Sequence, residues 1–217
     1  MDQFDCYNND HSVECEYPED GSCEPGTFTM PQIDGTYEIT QFHTHTGSEH
    51  AFEGLHANFE LHCVHKLKEG TGTGTNSMSG RTNTQAVVGF LIWVQGEADN
   101  DAFQPLLDAW QAYQDEVLAS CDGGTGNTTV DGRKLVAAKR QLQAFDVYSL
   151  VEPTSFFVYS GSLTTPPCTE DLWWNIANDP LIISLAQGQQ LKEVILDYRD
   201  ESCARATGAN PYKGWTS

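Results

Sequence analysis

Two stretches, TYEITQFHTH at Thr36–His45 and ANFELHCVH at Ala57–His65, alternate apolar and polar residues with a period of two. That period is the signature of a strand with one face on a core and the other toward something polar. A third stretch, AVVGFLIWV at Ala86–Val94, is apolar throughout and reads as a strand covered on both faces. Together they demand a sheet with an interior on each side. The alternation also sorts the histidines: His43 and His45 share one strand face, and Glu60, His62 and Val64 share a face of the next strand. Two such strands side by side aim three imidazoles at one point.

Around these strands the chain reads as mostly β with peripheral helices. Phe103, Leu106, Leu107, Trp110, Val117 and Leu118 recur at helical spacing, predicting an amphipathic helix over 101–120 with Pro105 in its first turns. A short helix is expected near 133–143 and a final one over 184–196. SFFVYSGSLTTPP and LWWNIA read as extended, and the Gly-rich runs 68–84 and 122–132 as loops. Residues 1–30, acidic and rich in turn formers, are expected on the surface.

With 217 residues, one well-buried core is the default, so 1–217 is read as a single domain, whole or part of a longer chain. A net charge of -20 disfavours nucleic acid and anionic membrane as partners and leaves a small molecule. No run of eighteen apolar residues offers a transmembrane segment. The opening MDQFDCYNND lacks the apolar stretch of a signal peptide, so the chain either stays in the cell or begins inside a longer precursor. Seven cysteines without a CxxC pair favour disulfides and an extracellular or secretory-lumen location, as does the sequon at Asn127.

His43, His45 and His62 are three neutral nitrogen donors, the ligand count of a catalytic zinc with one open corner. The same donors also admit cobalt or iron. Gln41, two before His43, and Glu60, two before His62, lie where they can hold the far nitrogen of a ligand ring.

At this point the residues carry a family likeness. DGTYEITQFHTHTGSEH, FELHCVH and YSGSLTTPPCTE, in that order, resemble the metal-binding strands and substrate loop of the alpha-type carbonic anhydrases. The resemblance, running from about Asn9 to Leu196, implies a central twisted, largely antiparallel sheet. It implies zinc on His43, His45 and His62, and zinc-hydroxide-catalysed hydration of carbon dioxide to bicarbonate and a proton. It further implies that Thr164 orients the hydroxide through a hydrogen bond to a buried glutamate, Glu49. Val64, Val87, Leu163, Thr165 and Trp174 would form the substrate pocket, and His11 the proton shuttle.

The chain also departs from the family pattern. No Gln-Ser-Pro-Ile strand precedes Asn9, and 197–217 has no Asn-x-Arg-Pro element. Cys168 occupies a position that, in secreted members, pairs with a cysteine of the absent segment; here it is either unpaired or joined to one of Cys6, Cys15 and Cys23. Two other readings stand beside the enzyme: an inert anhydrase-like binding module, and a cupin-type metal protein, whose second histidine motif has no counterpart after His65.

Overall fold

The computed structural model describes residues 3–8, 13–18, 24–122, 140–143, 147–150, 152–165 and 167–196. A ten-stranded twisted sheet dominates it. The three strands legible from sequence, two by alternation and one by its continuous apolar run, lie at its centre: β4 (Thr36–Thr46), β7 (Phe59–Leu67) and β8 (Gln85–Gly96). Toward one edge follow β2 (Val13–Glu16), β1 (Gln3–Asn8) and β9 (Arg140–Gln143); toward the other, β11 (Leu172–Ala177) and β10 (Phe156–Gly161). β3 (Thr27–Thr29) pairs with β4, and β12 (Leu181–Ser184) with β8. Pairing is antiparallel throughout the sheet except where β11 and β12 run parallel to β8. A small hairpin, β5 (Ala51–Phe52) with β6 (Leu55–His56), bridges β4 to β7.

Alternation divides the sheet into two interiors. Phe42, Leu61, Cys63, Val88, Phe90 and Ile92 point to one side, against helices α1 (Gln104–Asp122) and α2 (Leu185–Leu196). Phe103, Leu106, Leu107 and Trp110 meet them there with no exposed surface, and truncating Trp110 to alanine should cost about 3–5 kcal/mol. α1 starts where the Asn100 side chain accepts the amides of Ala102 and Phe103, both at 3.1 Å, and Pro105 falls in the first turn, where no N–H is needed. On the opposite side Val87, Leu172, Trp174 and Ile176 form a smaller apolar cluster, joined by Val64 and Leu163.

Two expectations from sequence need correcting. Residues 1–30 contribute three strands rather than a surface segment: Cys6 and Cys15 lie opposite each other in the β1–β2 ladder, are bonded as a disulfide, and sit in the core at 2% and 0% exposure. The turn residues in this region mask strands only three to six residues long. The helix expected over 133–143 gives way at its C-terminal end to β9, because β1 offers an open edge and long-range pairing outweighs local helical propensity. Residues 133–139 lie outside the described residues.

With Cys6 and Cys15 joined to each other, Cys168 is bonded to neither; it is a free, exposed thiol, and Cys63 is free and buried. Cys23 lies outside the described residues.

Candidate metal centre

The β4–β7 register places His43 directly opposite His62, and His45 opposite Glu60. Three imidazoles thereby converge from two strands, with ring centroids 4.6–5.3 Å apart. Each offers a nitrogen, and the three candidate ligand atoms lie within 4.8 Å of one another. Nε2 of His45 and Nδ1 of His62 stand 3.1 Å apart.

Hydrogen bonds behind the rings fix which nitrogens face inward. Gln41 Oε1 accepts from His43 Nδ1 at 2.7 Å, and Glu60 Oε1 accepts from His62 Nε2 at 2.9 Å. Glu60 is fully buried, and its Oε1 also accepts from His50 Nδ1 at 2.6 Å while its Oε2 accepts the His50 amide at 2.9 Å. Burial alone would raise its carboxyl, but the His62 and His50 partners outweigh that and hold it far below the usual carboxylate range. His50 in turn faces the Tyr159 hydroxyl through Nε2 at 2.6 Å. Burial, then the carboxylates of Glu60 and Glu49, push that phenol up to about 12, so it stays a donor. The Glu60 carboxylate can only accept, so His50 Nδ1 and His62 Nε2 carry the protons that face it, and His62 turns Nδ1 toward His45.

The turn after β4 brings His50 in. Gly47, at a φ of 71°, reverses the chain, and Ser48 pins it by accepting the Ala57 amide and donating to the His50 carbonyl. The same turn sets Glu49 Oε2 3.6 Å from His45 Nε2 and 3.9 Å from His62 Nδ1, where it has no hydrogen-bond partner. This corrects the expected role in part: Glu49 is 26% exposed rather than buried, and its Oε2 turns to the imidazoles instead of accepting from Thr164.

Above the imidazoles is a cavity of about 130 Å³. Val64, Val87, Leu163 and Trp174 give it an apolar wall, Thr164 and Thr165 a hydroxyl edge, and Gln41 and the three imidazoles its polar end. The loop between β10 and β11 holds Thr164 there: Leu163 N donates to the Thr169 carbonyl, Cys168 N to that of Thr165, and Trp174 Nε1 to that of Ser162. The structure thus brings together every expected pocket residue, the three imidazoles and Thr164, with Glu60 behind the rings. His11 lies outside the described residues.

Sequence reasoning missed Glu14 and Gln85, which line the cavity, and the pair His50 and Tyr159. For His50 a signal existed, since it directly follows Glu49 in the GSEH motif. For Glu14 and Tyr159 the signal is tertiary.

The model of the eukaryotic-type carbonic anhydrases matches residues 1–210. The chain belongs to this family. Among curated relatives, the mouse protein named carbonic anhydrase 6 is 28% identical over 209 residues, 92% of this chain and 57% of the relative. A carbonic anhydrase of Nostoc is 30% identical over 180 residues, 83% of this chain and 53% of the relative. The chain therefore spans about half the length of the curated relatives it matches. An alpha-carbonic anhydrase from Thermovibrio ammonificans, solved in complex with the inhibitor sulfanilamide, superimposes with a TM-score of 0.61 at 25% identity, covering 89% of this chain and 67% of that one. The mostly-β architecture with its large mixed sheet is the carbonic anhydrase fold, and a cupin reading is set aside. No described helix is long and apolar enough to cross a membrane.

Proposed function

We propose that this chain is a zinc-dependent carbonic anhydrase, hydrating carbon dioxide reversibly to bicarbonate and a proton, with residues 1–217 acting as one domain. The observation that carries the reading is the convergence of His43, His45 and His62, two of them oriented from behind by Gln41 and Glu60. This donor set fits zinc: three imidazoles, with His62 Nδ1 turned inward by the Glu60 hydrogen bond to Nε2, and a buried Glu49 Oε2 beside them that has no hydrogen-bond partner. Zinc held there supplies a water acidic enough to ionise near pH 7, a value for which carbonic anhydrase is itself the standard case.

The protein's own residues do the rest. Val64, Val87, Leu163 and Trp174 offer carbon dioxide an apolar wall with no hydrogen bond to compete for, which suits a small neutral molecule. The Thr164 hydroxyl, held on the cavity edge by its loop, is positioned to accept a hydrogen bond from the nucleophile and so fix the direction of its attack. Glu49 adds negative charge beside His45 and His62, and we assign proton export to His11. The Cys6–Cys15 disulfide supports an extracellular or secretory-lumen site of action.

The test is metal analysis with stopped-flow carbon dioxide hydration on purified chain and on His43→Ala. One zinc per chain, hydration well above buffer and loss of both in the variant are expected. Stoichiometric zinc without hydration would assign the chain to inert binding modules, and absence of zinc would overturn the centre itself.

A further inference from the structure

The strand registers give the cavity a direction. On the cavity side of β7 and β8, cross-strand pairs run from His62 with Gly89, through Val64 with Val87, to Lys66 with Gln85. β11 adds Ile176, Trp174 and Leu172 to the same three rows. Exposure rises along them: His62 and Gly89 are buried, Val87 is buried beside a half-buried Val64, and Lys66 and Gln85 are exposed. The cavity therefore opens at the Gln85 end, four residues or about 13 Å along β8 from the level of His62. Its middle row is apolar, and Gln85 is the lining side chain of β8 that carries hydrogen-bonding groups. Among the described residues the Gln85 amide meets no hydrogen-bond partner, so one uncharged acceptor and two donors are open to whatever fills the space.

The size of that space matters too. Carbon dioxide has three atoms, whereas the cavity encloses about 130 Å³, close to the roughly 150 Å³ in which an apolar protein cavity takes up benzene. We propose that the cavity is a subsite for ring-sized, uncharged ligands headed by a metal-binding group, and that Gln85 is the specificity-determining residue at their outer end. A ring lying on Val64, Val87 and Trp174 directs the substituent opposite its head toward Gln85, where an amide or hydroxyl finds both a donor and an acceptor. An apolar substituent offers the Gln85 amide nothing to bond, so the site discriminates by the chemistry of the far end. The inference rests on reading His43, His45 and His62 as a zinc site.

The experiment uses the zinc-loaded chain, wild type and Gln85→Leu, with metal content measured first. Two probes share a hydroxamate head that binds zinc: benzohydroxamic acid and its 4-carboxamide derivative. Calorimetry gives the ratio of their affinities, in which the common head and ring cancel. In wild type the carboxamide should bind about three- to tenfold more tightly than the parent, the worth of one net hydrogen bond. That preference should disappear in Gln85→Leu and also in Gln85→Ala, a second variant without the bulk of leucine. An equal ratio in wild type and both variants overturns the role of Gln85 and leaves the metal centre standing. Zinc-loaded wild type that takes up neither probe overturns the subsite, and failure of the wild-type chain to bind metal overturns both readings.

Discussion

Glu60 concentrates more of the site's order than any ligand does. Both its oxygens accept, and three donors from two different residues depend on them. Glu60→Gln keeps the shape but confronts His62 or His50 with an amide N–H, so zinc affinity should fall about 10–100-fold in a chelator-competition assay; unchanged affinity would show that Glu60 merely fills space. His65, five residues on, makes a separate prediction. It is buried beside Tyr148 and Phe28, and burial pushes its pKa from 6.5 down to about 3. Between those values the unfolded chain holds a proton that the folded ring refuses, so this contribution to stability is full above about pH 6.5 and is lost as pH falls toward 3. Each pH unit within the window costs up to about 1.4 kcal/mol. Urea unfolding of wild type and His65→Leu at pH 7 and pH 5 should show a smaller acid loss in the variant; parallel losses would mean His65 is silent.

Among elements, the β7–β8 pair leaves the least room. Gly89 faces His62, and an added Cβ would meet Ile176 Cδ1 at 2.8 Å and Glu60 Oε1 at 3.1 Å. The Ile176 methyl can swing aside, but the carboxylate is held from three sides. Gly89→Ala should therefore lower zinc affinity by more than it lowers stability, a split visible by comparing chelator competition with urea midpoints. The β1–β2 hairpin supplies the complementary case: reducing Cys6–Cys15, which closes a loop of nine-residue separation, should cost about 2–3 kcal/mol, seen as an earlier urea midpoint with dithiothreitol. These two elements also mark what a sequence discloses. β4 and β7 were legible because strand alternation is local stereochemistry, β8 because its run is apolar throughout, and three histidines on the alternating strands pointed to the centre. β1 and β2 were not, because their strand character comes from pairing with partners such as Phe42, which lies 27 residues from Cys15. Glu14 became visible only with that register. The orientation of the Glu49 carboxylate was not legible for a similar reason, since the turn at Gly47 decides where it points.

For the molecule as a whole, the sheet ends at one side in β10, an edge strand whose Phe156, Phe157, Val158 and Tyr159 are each 42–50% exposed. Such an edge invites pairing with another chain, while the net charge of -20 opposes it. The balance depends on screening: sedimentation of the 217-residue chain should show a monomer at low ionic strength and concentration-dependent association as salt is raised, with Val158→Lys suppressing the change. Association unaffected by that substitution would place the contact elsewhere. The alternation in β4 and β7 has one more consequence. Because one face of each strand builds the hydrophobic interior and the other builds the centre, a pairing slip of a single residue would exchange Phe42 and Cys63 for His43 and His62. With zinc at the proposed centre, metal uptake would be a count of correctly threaded molecules: in a refolding mixture, the fraction that takes up zinc should report the fraction whose strands found their partners in step.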